Sequence, residues 1–124
     1  MDTARTHKKV PVPELDRQAC LGPDGAVAHV TACLRMVSGR WKLPIMFRLY
    51  ADEALRSSQL LRDIPGVSQK VLTQHLRALE DDRLIARTDF AEQPPRVEYR
   101  LTERGLALMP VLLAARQFAE DHAR

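Results

Sequence analysis

The chain has 124 residues, of which 45% are hydrophobic and 28% charged. That suits one ordinary globular domain with a core that needs neither disulfides nor metals. Its two cysteines, Cys20 and Cys33, match no metal or disulfide framework. No apolar run approaches the roughly 20 residues that span a bilayer, and the N-terminus lacks a leader-like apolar stretch, so a reducing, cytoplasmic setting without membrane contact is expected. The net charge of +3 is compatible with a nucleic-acid partner and demonstrates none.

In chain order, residues 1–25 read as a flexible arm, interrupted by Pro11, Pro13, Gly22, Pro23 and Gly25. The folded domain is expected over 26–124. From Ala26 the pattern turns helical, with Val30, Cys33, Leu34 and Val37 on one face and Ser38-Gly39 as the stop. A second helix over Lys42–Tyr50 is apolar nearly all round, through Leu43, Ile45, Met46, Phe47 and Leu49, and should be central. Pro44 fits its first turn, and Trp41 is expected to anchor the core.

Ser58 can cap a short helix that ends at Ile64, and Pro65-Gly66-Val67 breaks it. Ser68 can cap a longer helix from Gln69 to about Asp82, with Leu72, Leu76 and Leu79 as its buried stripe. Two helices joined by a short glycine-containing turn form a helix-turn-helix. The period then becomes two, over Leu84–Thr88 and again where Val97, Tyr99 and Leu101 alternate with Arg96, Glu98 and Arg100. This hairpin, with Pro94-Pro95-Arg96 in its connection, makes a wing. Thr102 can cap a last helix whose apolar residues exceed one face: Leu106, Met109 and Leu113 on one side, Leu108, Leu112 and Ala115 on another, with Phe118 beyond. The surplus points to a partner chain, and Pro110 predicts a kink between Leu106 and Pro110. The expected class is mainly α with a small β wing, a winged helix-turn-helix that dimerises through its N- and C-terminal helices.

The polar face of the longer helix offers Gln69, Lys70, Thr73, Gln74 and Arg77. Gln pairs bidentately with adenine, and Arg or Lys with guanine. Ser68 opens a helix N-terminus that can hold a phosphate, and Ser58 and Lys42 are further candidate DNA contacts. A solvated amphipathic face is the plain alternative; the wing that follows favours DNA. Arg96, stiffened by two prolines and flanked by Arg87 and Arg100, is expected to reach a minor groove or a phosphate; its alternative is a hairpin solubilised by charge. Cys33 reads as a buried structural cysteine, and Cys20 as the more exposed candidate for oxidation. His75 lies near the buried stripe as a packed histidine. No catalytic set and no metal or cofactor site is expected, so the chain does not read as an enzyme.

Leu34–Trp41 with Lys42, Ser58-Gln59-Leu60, Ile64-Pro65-Gly66-Val67-Ser68, Leu72–Glu80 and Pro94–Gly105 together resemble the HxlR-type family of winged-helix regulators, in the wider MarR-like group. The resemblance runs from about Val27 to Phe118. It implies a dimeric bacterial repressor or activator, paired through its first and last helices on a short palindromic operator of double-stranded DNA. In the family such operators often lie beside stress or redox genes. Many members carry a cysteine followed by proline where this chain has Ala28-His29, and an aromatic where it has Ser57. The thiols left for an oxidant are Cys20 and Cys33; a small-molecule effector is the alternative. Leu106, Leu108, Met109, Leu112, Leu113 and Phe118 are the expected dimer residues. A rival reading is a winged-helix protein-interaction module that does not bind DNA.

Overall fold

The computed structural model describes residues 20–123, so residues 1–19 of the expected arm lie outside the described residues. The elements are α1 (Ala26–Met36), α2 (Lys42–Ala51), α3 (Ser57–Asp63), α4 (Gln69–Asp81), β1 (Ile85–Asp89), β2 (Val97–Leu101) and α5 (Glu103–Asp121). The described residues divide into two compact units, with the boundary between Met36 and Val37.

In the first unit, α1 buries no residue. On its expected apolar face Val30 and Leu34 are more than half exposed and Cys33 is half-buried; Val27, outside that set, is also more than half exposed. Val37, assigned to the same stripe, belongs to the second unit and is buried.

The second unit is built on an aliphatic core, as a chain with 5% aromatic residues requires. Ile45, Met46 and Leu49 of α2 are buried, with Leu60 of α3 and Leu72, Leu76 and Leu79 of α4. Leu84, Ile85 and Leu101 of the hairpin and Leu108, Met109 and Leu112 of α5 complete it. Helix α2 is not covered all round as expected, since Leu43 is exposed and Phe47 half-buried.

The joint between α3 and α4 is fixed by local chemistry. Ser58 does not cap α3. Arg56 holds the N-cap position, its backbone N–H donating to Gln59 Oε1 at 2.8 Å, while Ser58 sits inside the first turn and exposed. Gly66 makes the turn at φ 87°, and a Cβ there would lie 3.4 Å from the Trp41 ring. Trp41 is thus a half-buried prop under this turn rather than a core anchor, with the Arg40 guanidinium 4.6 Å from its ring centre. Ser68 caps α4 as expected, its hydroxyl oxygen accepting from Val71 N–H at 3.2 Å.

Arg48 of α2 clamps the end of α3. It pairs with Asp63 at 2.9 Å and with Asp52 one turn along its own helix. Hydrogen bonding by Arg48 holds the Asp63 carboxyl below its ordinary range, and hydrogen bonds to Asp52 and Asp63 raise the Arg48 guanidinium. A depressed carboxyl stabilises the fold above its ordinary value and loses that contribution as pH falls through its folded value. Thermal melts of wild type and Asp63→Asn are therefore expected to differ at neutral pH and to converge in acid, below about pH 4. A constant difference down to acid pH would contradict this coupling.

Strands β1 and β2 pair antiparallel, Ile85 opposite Leu101, Arg87 opposite Tyr99 and Asp89 opposite Val97. Beyond the strands, Phe90 N–H donates to Arg96 C=O at 2.9 Å, one more step of the same register. Leu55, between α2 and α3, joins the sheet edge: its N–H donates to Tyr99 C=O at 3.0 Å, and Tyr99 N–H donates back at 2.8 Å. Thr102 caps α5, accepting from Gly105 N–H at 3.0 Å and donating to Arg83 C=O at 2.6 Å. Helix α5 runs uninterrupted through Pro110.

Candidate nucleic-acid interface

Helix α4 divides cleanly. Leu72, Leu76 and Leu79 are at most 2% exposed, whereas Gln69, Lys70, Gln74 and Arg77 are exposed. Lys70, Gln74 and Arg77 follow one another at helical spacing and share the outward face. Among the described residues neither Lys70 nor Arg77 is in an ion pair. Thr73 is less available: half-buried, it donates to the Gln69 backbone C=O at 2.9 Å and accepts from Gln69 Nε2 at 3.4 Å. Gln69 is thereby held back along its own helix. The Ser68 oxygen serves its cap, which leaves the hydroxyl hydrogen to donate outward. Ser58 is exposed in the first turn of α3, and Lys42 is half-buried at the start of α2. His75 is half-buried, as a packed histidine would be.

At the wing, Arg96 has close partners within its own hairpin. In place of a free cation at the tip, the side chain is folded onto the hairpin. The Arg96 guanidinium lies 3.7 Å from the Phe90 ring centre, with Glu92 at 3.5 Å and Glu98 at 3.9 Å. Its Nε is buried and lacks a hydrogen-bond partner. The cause is register: Phe90 and Arg96 are cross-strand neighbours, and an arginine opposite a ring stacks on it. Extending the strand register by one step in the sequence would have revealed that pairing. Arg100 is also engaged, donating to Thr88 Oγ1 at 2.8 Å. Arg87 is exposed and borders a cleft of about 420 Å³ between α4 and the strands, lined by Thr73, Arg77, Glu80, Arg87 and Tyr99.

The residues expected at a dimer interface separate as well. Leu108, Met109 and Leu112, with Gly105, form the stripe that α5 buries in its own chain, because this spacing makes one continuous helical face. Leu106 and Phe118 are exposed and Leu113 is half-buried. Val111, absent from the sequence-based set, is 50% exposed and adds to the open face. Cys20 and Cys33 are both free and half-buried, so burial does not rank them as expected. Among the described residues no cluster of potential ligands could hold a metal ion, and no helix is long and apolar enough to cross a membrane.

The geometry has counterparts. The family described as HxlR-like helix-turn-helix matches residues 36–124. An HTH-type transcriptional regulator of Methanothermobacter thermautotrophicus is 40% identical over 92 residues, which is 74% of this chain and 70% of that protein. The crystal structure of a MarR-family transcriptional regulator from Enterococcus faecalis V583 superposes with a TM-score of 0.75 at 34% identity, covering 91% of this chain and 94% of that one. The redox regulator HypR in its oxidized form gives a TM-score of 0.69 at 31% identity, over 77% of this chain and 98% of its own. With an exposed polar face on α4, a two-stranded wing behind it and this kinship along most of its length, the chain belongs to the HxlR-like helix-turn-helix family and is a winged helix-turn-helix transcriptional regulator.

Proposed function

We propose that the protein acts as a homodimer on a short palindromic operator, each copy placing α4 in a major groove and blocking or assisting polymerase nearby. The observation that carries this reading is the outward row Lys70, Gln74 and Arg77 on a helix whose opposite face is buried. Ser68 at the start of α4, Ser58 in the first turn of α3 and Lys42 at the start of α2 are the further candidates for phosphate contacts. The open apolar positions Val27, Val30 and Leu34 of α1 and Leu106, Val111 and Phe118 of α5 support a second copy as the partner.

Selection from a random duplex pool supplies the operator and tests this reading directly. With that duplex, Lys70→Ala or Gln74→Ala is expected to relax preference at particular base pairs, at about 1–3 kcal/mol for each bidentate pairing removed. If no duplex is enriched, or neither substitution changes the preference, the surface does not face DNA. A protein-interaction role then replaces this one.

HypR is a redox regulator, and a thiol response here would run through Cys20 or Cys33. Operator affinity with and without peroxide separates that effector class from a small ligand.

A further inference from the structure

The alternation of the wing strands assigns its arginines to opposite faces. Ile85 is buried in the core, so Arg87, two residues on, leaves β1 on the same side, where α4 packs. Tyr99 stands opposite Arg87 in the register. Thr88, Phe90, Glu98 and Arg100 line a second pocket of the hairpin, which Tyr99 also borders, and Arg96 is stacked on Phe90. The Arg96 cation is already met by Glu92 and Glu98, while Arg87, like Arg77, is in no ion pair among the described residues.

We propose that the cleft between α4 and the wing grips one phosphate of the DNA backbone through Arg77 and Arg87, and that Arg87, not Arg96, is the wing's electrostatic contact with DNA. This rests on the reading of α4 as the recognition helix. The chemistry of the cleft suits a phosphodiester: two guanidiniums able to form charge-assisted bonds, with the Tyr99 side chain on the same wall, while the Thr73 hydroxyl is spent on the Gln69 carbonyl. Glu80 also lines the cleft, but it lies beyond Arg77 toward the C-terminal end of α4, and one carboxylate is outweighed by two guanidiniums. Arg96 serves instead as a strut that holds the wing tip against Phe90.

The test is affinity as a function of KCl concentration, for the duplex recovered by selection and for a random-sequence duplex. Arg87→Ala is expected to weaken binding to both duplexes by a similar factor. It should lower the slope of log affinity against log salt by about one unit, with base preference unchanged. Arg87→Lys should restore most of the slope. Arg96→Ala should keep the wild-type slope and lower the melting temperature. Full slope in Arg87→Ala, or a reduced slope in Arg96→Ala alone, would overturn the proposal. Lys70→Ala and Gln74→Ala on the same duplexes keep the two readings apart. If they change base preference while Arg87→Ala changes nothing, only the phosphate cleft fails; if no variant matters, the assignment of α4 to DNA fails with it.

Discussion

Gly105→Ala is expected to be among the most destabilising single substitutions in the chain, by on the order of 3 kcal/mol. A Cβ at Gly105 would sit 2.1 Å from the Leu84 carbonyl oxygen and 3.1 Å from its carbon. Both atoms are backbone, and that oxygen already accepts from Thr102 N–H at 3.0 Å. Neighbouring Arg83 is tied to the Thr102 hydroxyl, so the loop cannot retreat without giving up the cap of α5. Helix propensity alone predicts the opposite sign, since alanine in place of a helical glycine usually gains about 1 kcal/mol. Urea or thermal unfolding therefore decides on the sign. A variant as stable as wild type would show that α5 can lift from Leu84 freely.

The second large effect concerns assembly. Val111→Asp combined with Phe118→Asp places charge on the open face of α5, where the side chains are 50% and 67% exposed. The expected product is a folded monomer by sedimentation, with a melting profile close to wild type. Its operator affinity should fall by roughly 10²-fold or more, because a single half-site forfeits the linked second one. Leu112→Asp should behave differently. Leu112 is 7% exposed in the core of its own chain, and an unpaired charge there should unfold the protein rather than divide it. If the double variant sediments as wild type does, this face of α5 does not hold the partner.

Much of this architecture is legible in the sequence wherever the signal is local. Ser68 and Thr102 announce their helices because a cap is an interaction over three residues. β2 follows from the alternation Val97-Glu98-Tyr99-Arg100-Leu101. Leu72, Leu76 and Leu79 declare a buried face by spacing alone. Where the outcome depends on distant partners, less can be read. Ser58 has the chemistry of a cap, yet Gln59 reaches back to Arg56 and moves the helix start. On α5 two apolar stripes are visible in the sequence. The close seat of Gly105 on Leu84 and Leu101 turns Leu108, Met109 and Leu112 into the monomer core and leaves Val111 outside. Arg96 reads as a tip cation because its partners gather only once the hairpin closes: Phe90 faces it across the turn, Glu92 lies in the connection four residues before it and Glu98 two residues after it. The polar face of α4 is the part most nearly complete, since exposed polar residues on an amphipathic helix need no tertiary partner to be placed.

The reciprocal pair of backbone bonds between Leu55 and Tyr99 has a mechanical consequence. Leu55 leads into α3 and Tyr99 lies in the middle of β2, so the approach to the helix-turn-helix and the wing share a seam that cannot shear without breaking both bonds. In the proposed reading, contacting bases and gripping the backbone are then not independent motions. On the function proposed above, these elements move as one unit, and an effector that switches DNA binding has to swing that unit as a whole rather than flex the wing.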